Sequence, residues 1–181
     1  RLRTQGIADE VILSVIGSIP RHIFVEEALA SRDYEDVSLP INYGQTISSP
    51  WTVARMSELL RANEQLGKVL EVGTGCGYQT AVLAHVAEKV YSIERIGPLL
   101  TRTRIRLQEL QIRNIHLRHA DGLHGFVEAA PFDGIIMTAV TTKRTPEIGY
   151  FSPLLDYKEI AWRGADFASF LPLFNISGSP A

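Results

Sequence analysis

At 181 residues, 45% hydrophobic and 21% charged, the chain has the proportions of one globular domain with enough apolar surface to fold unaided. A net charge of −2 excludes bulk attraction to nucleic acid or to an acidic membrane surface, and a single cysteine, Cys76, excludes an internal disulfide, so a cytoplasmic setting is expected. No apolar run is long enough to span a bilayer and the first residues lack a signal-peptide core; with Arg rather than Met at position 1, the chain is expected to begin inside a longer one.

From Asp9, the residues Val11, Ile12, Val15, Ile16 and Ile19 recur at helical spacing until Pro20, which predicts an amphipathic opening helix. A shorter helical pattern over 23–30 leads into Ser38-Leu-Pro-Ile-Asn-Tyr-Gly44, where Pro and Gly predict an irregular loop. Next comes a helix capped by Ser49, with Pro50 in its first turn and Val53, Met56, Leu59 and Leu60 as its buried stripe.

From Lys68 the pattern changes to short β-rich runs at 68–72, 89–94, 115–118 and 133–138, with helices predicted over 79–87 and 99–110. Such alternation predicts an α/β, Rossmann-like fold: a mostly parallel sheet with helices on both faces, its ligand loops gathered along one edge, and an atypical C-terminal part. One domain is expected, divided into N-terminal helices and loop (1–67), a binding core (68–140) and a divergent tail (141–181).

The chemistry centres on Glu71-Val-Gly-Thr-Gly-Cys-Gly77, a strand end running straight into a helix. Gly73, Gly75 and Gly77 let the backbone turn sharply and approach a ligand without Cβ obstruction, and the helix start offers N–H groups. A nicotinamide fingerprint requires glycine where Tyr78 stands, whereas Gly-x-Gly-x-Gly suits S-adenosylmethionine (AdoMet). Glu94 ends the next strand, where a carboxylate accepts from both ribose hydroxyls; pairing with Arg95 or simple strand capping is the plainer alternative. Asp121-Gly122 follows the third strand, with an acceptor for the adenine amino group and room for the ring, or else an ordinary Asp-Gly turn.

From Ser38 to Val140 the sequence resembles the protein-L-isoaspartate O-methyltransferases. The likeness rests on Leu39-Pro-Ile-Asn-Tyr-Gly-Gln-Thr-Ile-Ser-Ser-Pro50, the glycine turn, Ser92-Ile-Glu-Arg95, Asp121-Gly122 and Pro131-Phe-Asp-Gly-Ile-Ile136, in that order, with Pro20-Arg-His-Ile-Phe24 similar to an N-terminal Pro-Arg-x-x-Phe signature. The resemblance implies a cofactor site of Thr46, Glu71, Gly73, Thr74, Gly75, Gly77, Glu94, Arg95, Asp121 and Gly122. It implies an acceptor site of Ile47 and Ser48, with Ser48 catalytic. The implied reaction moves a methyl group from AdoMet, leaving S-adenosylhomocysteine, to the α-carboxylate of L-isoaspartyl residues in damaged proteins or peptides. That oxygen is anionic near neutral pH, so positioning and desolvation take precedence over a strong base. The alternatives are an AdoMet-binding protein of the same fold without turnover and a methyltransferase for another substrate.

Other reactive residues are discounted. Cys76 has no basic partner and reads as a small side chain in the turn. His116, His119 and His124 straddle a strand and turn, a poor spacing for a metal, so no metal is expected. Arg102, Arg104, Arg106 and Arg113 read as a solvated helix. No Asn/Asp-Pro-Pro-aromatic motif follows Asp133 and no Pro-Cys surrounds Cys76, which argues against methylation of nucleic-acid bases. After Val140 the family's Gly-Gly turn and Pro-Val-Gly strand are not legible, and Phe170-Leu-Pro-Leu-Phe174 is similar to its terminal aromatic-Val-Pro-Leu element.

Overall fold

The computed structural model describes residues 1–62, 64–122, 125–138 and, as backbone, 160–163. The expected tail element at 170–174 and His124 lie outside the described residues.

Helix α1 (Glu10–Ser18) starts where Asp9 accepts from the amides of Val11 and Ile12, and it ends ahead of Pro20. Its Ile12 is fully buried with Ile7, Ala54 and Val86, which docks α1 onto the helices that follow. The helical pattern expected over 23–30 is instead two 3-10 segments, Arg21–Phe24 and Glu27–Arg32, with extended backbone at Val25 and Glu26 between them. So short a segment gains little from helical propagation, and the burial of Arg21 and Phe24 decides its path.

The loop predicted around 38–44 carries a small hairpin. Strand β1 (Leu39–Pro40) pairs antiparallel with β2 (Thr46–Ile47), and the reversal is made by Tyr43 (φ 63°) and Gly44 (φ 68°), both left-handed. Helix α2 (Pro50–Arg61) begins with Ser49 accepting from the Thr52 amide and Pro50 in the first turn, as expected from their order.

A five-stranded sheet forms the centre, in the order β5 (Ile115–His119), β4 (Ala87–Glu94), β3 (Leu66–Val72), β6 (Gly134–Met137), β7 (Ile160–Arg163). The first four are parallel; β7 runs antiparallel beside β6. Between β3 and β4 lies α3 (Tyr78–Ala84), and α4 (Gly97–Glu109) connects β4 to β5. The helix expected over 79–87 stops at Ala84, and Ala87 already belongs to β4. Asn114, distant in sequence, donates its side-chain amide to the carbonyls of Ala84 and Ala87, and Val86 is buried against α1, so tertiary contacts end this helix.

Alternation along the strands sends Val69, Val90 and Ile136 to one face, under Met56, Leu60 and Leu83 of α2 and α3. Leu70, Ile93 and Ile135 face the other side and pack with Phe126 and Phe132, which flank the 3-10 segment Val127–Ala129. The sheet therefore matches the predicted Rossmann-like arrangement, with its parallel strands ending together near Val72, Glu94 and His119. No helix among the described residues is long and apolar enough to cross a membrane.

Candidate cofactor and acceptor site

The glycine turn follows β3 directly. Gly73, Gly75 and Gly77 have φ of 101°, 55° and 89°, values that side-chain-bearing residues adopt only with strain. A Cβ on Gly77 would sit 2.7 Å from Thr103 Cγ2, so this glycine also lets α4 pack close. Hydrogen bonds to neighbouring segments and within the turn hold it. Gly73 and Thr74 donate to the Ile93 carbonyl at 2.8 and 3.1 Å, Gly75 donates to Glu94 Oε2 at 2.9 Å, and Gly77 donates to the Thr74 carbonyl at 2.9 Å. The path of the turn is thus fixed by its glycine conformations together with these bonds.

Glu94, the last residue of β4, is 6% exposed and uses both oxygens. Oε2 takes the Gly75 amide and Oε1 the Ile96 amide, each at 2.9 Å, and each oxygen keeps a further lone pair. The alternative of a Glu94–Arg95 pair is not seen: Arg95 is exposed, and its carbonyl accepts from His119 Nε2 at 3.0 Å.

Beneath the turn, Glu71 is fully buried. Its Oε2 accepts from the hydroxyls of Thr80 and Ser92, both at 2.5 Å, and the Thr74 hydroxyl is 2.7 Å from that of Ser92. Since Ser92 gives its proton to Glu71, Thr74 donates to Ser92, and the Thr74 side chain is turned inward. Glu71 Oε1 has no hydrogen-bond partner among the described residues. Burial pushes the Glu71 carboxyl up to about 8, against the hydroxyl bonds from Ser92 and Thr80 and with help from the nearby Glu94 charge.

Beyond β5, Ala120 donates its amide to the Glu94 carbonyl, which brings Asp121 and Gly122 to the same sheet edge. Asp121 is exposed there. Gly122 lies so close to Val72 that a Cβ would collide with Cγ1, which gives the Asp-Gly dipeptide a packing reason beyond an ordinary turn. The loops after β3, β4 and β5 therefore converge on one spot.

The β1–β2 hairpin reaches the same spot: a Cβ on Gly75 would lie 3.9 Å from Ile41 Cδ1. Ile47 is buried, Thr46 exposed, and Ser48 half-buried just before the Ser49 cap. Ser49 thus takes the capping role and Ser48 stands one residue outside the helix.

Several supporting residues carried no clear sequence signal. Thr103 is buried on α4 and donates to the Gly75 carbonyl at 2.6 Å; Thr138, after β6, donates to the Gly73 carbonyl at 2.5 Å. Arg106, expected on a solvated helix face, is half-buried and donates to the Cys76 carbonyl at 2.9 Å. Helical spacing placed Arg106 on a polar helix but did not reveal that its neighbour would be an unsatisfied carbonyl. Cys76 is buried and its thiol is pushed up to about 11 by burial, which suits the packing role and not that of a nucleophile. His116 stacks on Tyr91 at 4.6 Å while His119 is tied to the Arg95 carbonyl, and no group of three metal-ligating side chains occurs among the described residues.

Comparison with known proteins gives a consistent result. Residues 1–149 match the family model described as protein-L-isoaspartate(D-aspartate) O-methyltransferase. The chain is 77% identical over 142 residues to a protein-L-isoaspartate O-methyltransferase of Nitrosomonas eutropha, covering 77% of this chain and 64% of that protein. It is 66% identical over 148 residues to protein-L-isoaspartate O-methyltransferase 2 of Nitrosospira multiformis, covering 82% of this chain and 70% of the relative. A solved protein-L-isoaspartate O-methyltransferase superposes with a TM-score of 0.69 at 28% identity, over 77% of this chain and 46% of the other. A Plasmodium falciparum structure in complex with S-adenosyl-L-homocysteine shares the fold, with a TM-score of 0.64 at 20% identity and 91% coverage of both chains. The chain thus spans just under two thirds of the length of the Nitrosomonas eutropha relative, and over that span it belongs to the protein-L-isoaspartate O-methyltransferase family.

Proposed function

We propose that this chain binds AdoMet over the glycine turn and methylates the α-carboxylate of L-isoaspartyl residues in damaged proteins or peptides. The observation that carries the reading is the approach of Ile41, in the β1–β2 hairpin, to Gly75, which supports an acceptor loop beside a cofactor turn. Family membership supplies the reaction class.

The residues fit the cofactor. Gly73 and Gly75 leave the turn open, and the remaining lone pairs of Glu94 suit two ribose hydroxyls. Asp121 and Gly122, brought to the same sheet edge by the Ala120–Glu94 backbone bond, would serve the adenine amino group and ring. The unpartnered Oε1 of Glu71, beneath the turn, would become an acceptor if a bound methionine ammonium group drew the carboxyl back to its ionised form. Thr46, Thr74, Gly77 and Arg95 complete the proposed cofactor shell, by shape more than by direct bonds. When bound, AdoMet supplies an electrophilic sulfonium methyl group.

The chain's own contribution is placement. Ile47 and Ser48 hold the acceptor, the Ser48 hydroxyl donating to its carboxylate while the apolar Ile41 and Ile47 help exclude water. No side chain has to remove a proton, because the carboxylate is already ionised at neutral pH. Residues 1–181 act as one unit in this reading, and a cytoplasmic site suits a chain with one buried thiol.

Labelled methyl transfer to paired peptides, one with isoaspartate and one with aspartate at the same position, tests the proposal. Label confined to the isoaspartyl peptide is expected; equal labelling of both sinks the repair assignment. AdoMet binding by calorimetry without transfer to either peptide would favour a binding protein of the same fold.

A further inference from the structure

Arg21 is 1% exposed, and among the described residues no carboxylate bonds to it. Its guanidinium instead donates to three backbone carbonyls: Asp33 through Nη1, and Val37 at 3.2 Å and Ser48 at 3.0 Å through Nη2. All three acceptors belong to the segment that carries the hairpin. The β1–β2 ladder is only two residues long on each strand, too short to hold that hairpin by itself. Burying an arginine to bond carbonyls is costly, and burial depresses its pKa, opposed by the neighbouring Tyr78, Cys76, Asp33 and Asp36. An apolar residue would fill the space more cheaply, but only a planar fork can bridge carbonyls from separate stretches of chain.

The other side of Arg21 faces the cofactor turn. Its guanidinium lies over the ring of Tyr78, 5.8 Å from the centroid, and Tyr78 is the residue directly after Gly77. Tyr78 packs edge-on against Phe24 at 5.3 Å. Arg106 lies over Phe24 at 5.7 Å and donates to the carbonyl of Cys76 within the turn. Two arginines thus bracket one aromatic pair: one holds the carbonyl of Ser48, the other a carbonyl of the glycine turn.

We infer that Arg21 is a positioning residue that fixes the Ser48 backbone relative to the glycine turn, through its bond to the Ser48 carbonyl and its stacking on Tyr78. The inference rests on the methyl-transfer reading for its catalytic consequence, though the mechanical part stands without it. In this inference Arg21 acts through the Ser48 carbonyl and Tyr78 and not directly on substrate or cofactor. Its loss shifts the acceptor loop while leaving the cofactor turn, held separately by Glu94, Thr103 and Arg106, in place.

The test uses the 181-residue chain with Arg21→Met and Arg21→Lys. Amide hydrogen exchange over residues 45–49, AdoMet affinity by calorimetry and kcat with an isoaspartyl peptide at saturating AdoMet are measured for each. In Arg21→Met, exchange over 45–49 should rise by about tenfold or more and kcat fall by roughly 10- to 100-fold, with the AdoMet Kd weakened by less than the fall in kcat because Thr46 alone of the cofactor shell lies in that loop. Arg21→Lys, which keeps the charge but not the fork, should fall between the two. Unchanged exchange over 45–49 overturns the inference, as does a loosened loop with unchanged kcat. If Arg21→Met does not fold, Arg21→Lys decides; loss of the fold in both assigns Arg21 to global stability and also overturns it. If the parent chain transfers no methyl group, the methyltransferase reading fails on its own, and exchange still decides whether Arg21 holds the loop.

Discussion

Glu94 Oε2 accepts the amide of Gly75 across 2.9 Å, joining the end of β4 to the middle of the glycine turn. The carboxylate proposed to receive ribose hydroxyls also fixes the turn proposed to cradle the rest of the ligand. In that proposal, cofactor affinity and turn geometry are coupled through one side chain.

Glu94→Ala should weaken AdoMet binding by at least tenfold in calorimetry, because charge-assisted bonds are worth roughly 1.5–3 kcal/mol each. Since the Gly75 and Ile96 amides lose their acceptor, thermal stability should fall as well. Parent-like affinity in the variant would remove Glu94 from the cofactor site.

Ser48→Ala should act differently. Ser49, not Ser48, caps α2, so the fold and the AdoMet Kd should change little while kcat for an isoaspartyl peptide drops by about 10- to 100-fold. A variant that loses AdoMet affinity but keeps kcat would reverse the roles assigned to Ser48 and Glu94.

Gly122→Ala places a methyl group against Val72 Cγ1. Overpacking of this kind typically costs about 1–3 kcal/mol, read as a lower denaturant midpoint. Adding Val72→Ala should recover part of the loss by freeing the occupied space. Failure of the second substitution to help would show that backbone conformation, not the Val72 contact, requires glycine.

Glu71 gives a pH signature. Its folded carboxyl, raised to about 8, holds a proton that the unfolded chain releases near the ordinary 4.5, so the folded state binds more protons between those values. Stability should fall as pH rises from 4.5 toward 8. Glu71→Gln removes that slope, and the variant should gain on the parent by on the order of a few kcal/mol at pH 8 relative to pH 5. Parallel melting curves for the two proteins across this range would contradict a protonated Glu71.

Asp36 works in the opposite sense. Burial pushes its carboxyl up, but the Trp51 amide, Gln5 and Ser49 hydrogen bonds outweigh that and hold it below its usual value. A depressed carboxyl contributes stability above its unfolded pKa and loses it as pH falls through the folded one. Asp36→Asn should therefore lower the melting temperature at neutral pH and narrow the gap to the parent below about pH 4.

Local signals made much of the site legible. Ser49 before Pro50 marks a helix start because capping chemistry is satisfied within three residues. Gly73, Gly75 and Gly77 mark the turn because their left-handed φ values exclude most side chains. Glu94 and Asp121 follow from strand ends, which a parallel sheet brings to one edge. Other features depended on partners far along the chain. Helical periodicity extended α3 to Ala87, yet Asn114 stops it at Ala84. A helix pattern over 23–30 gave way to two 3-10 turns because Arg21 and Phe24 are buried against residues from three other segments.

The sequence by itself determined which backbone would turn through left-handed glycines and which carboxylates would stand at the neighbouring strand ends, since both follow from local conformation and strand order. Only the tertiary structure decided how that turn is held. Thr138 and Thr103 reach the carbonyls of Gly73 and Gly75, and Arg106 and Arg21 reach those of Cys76 and Ser48, from positions 27 to 65 residues away. A polar side chain carries no mark of which distant carbonyl it will satisfy, because that pairing exists only once the sheet has brought the segments together.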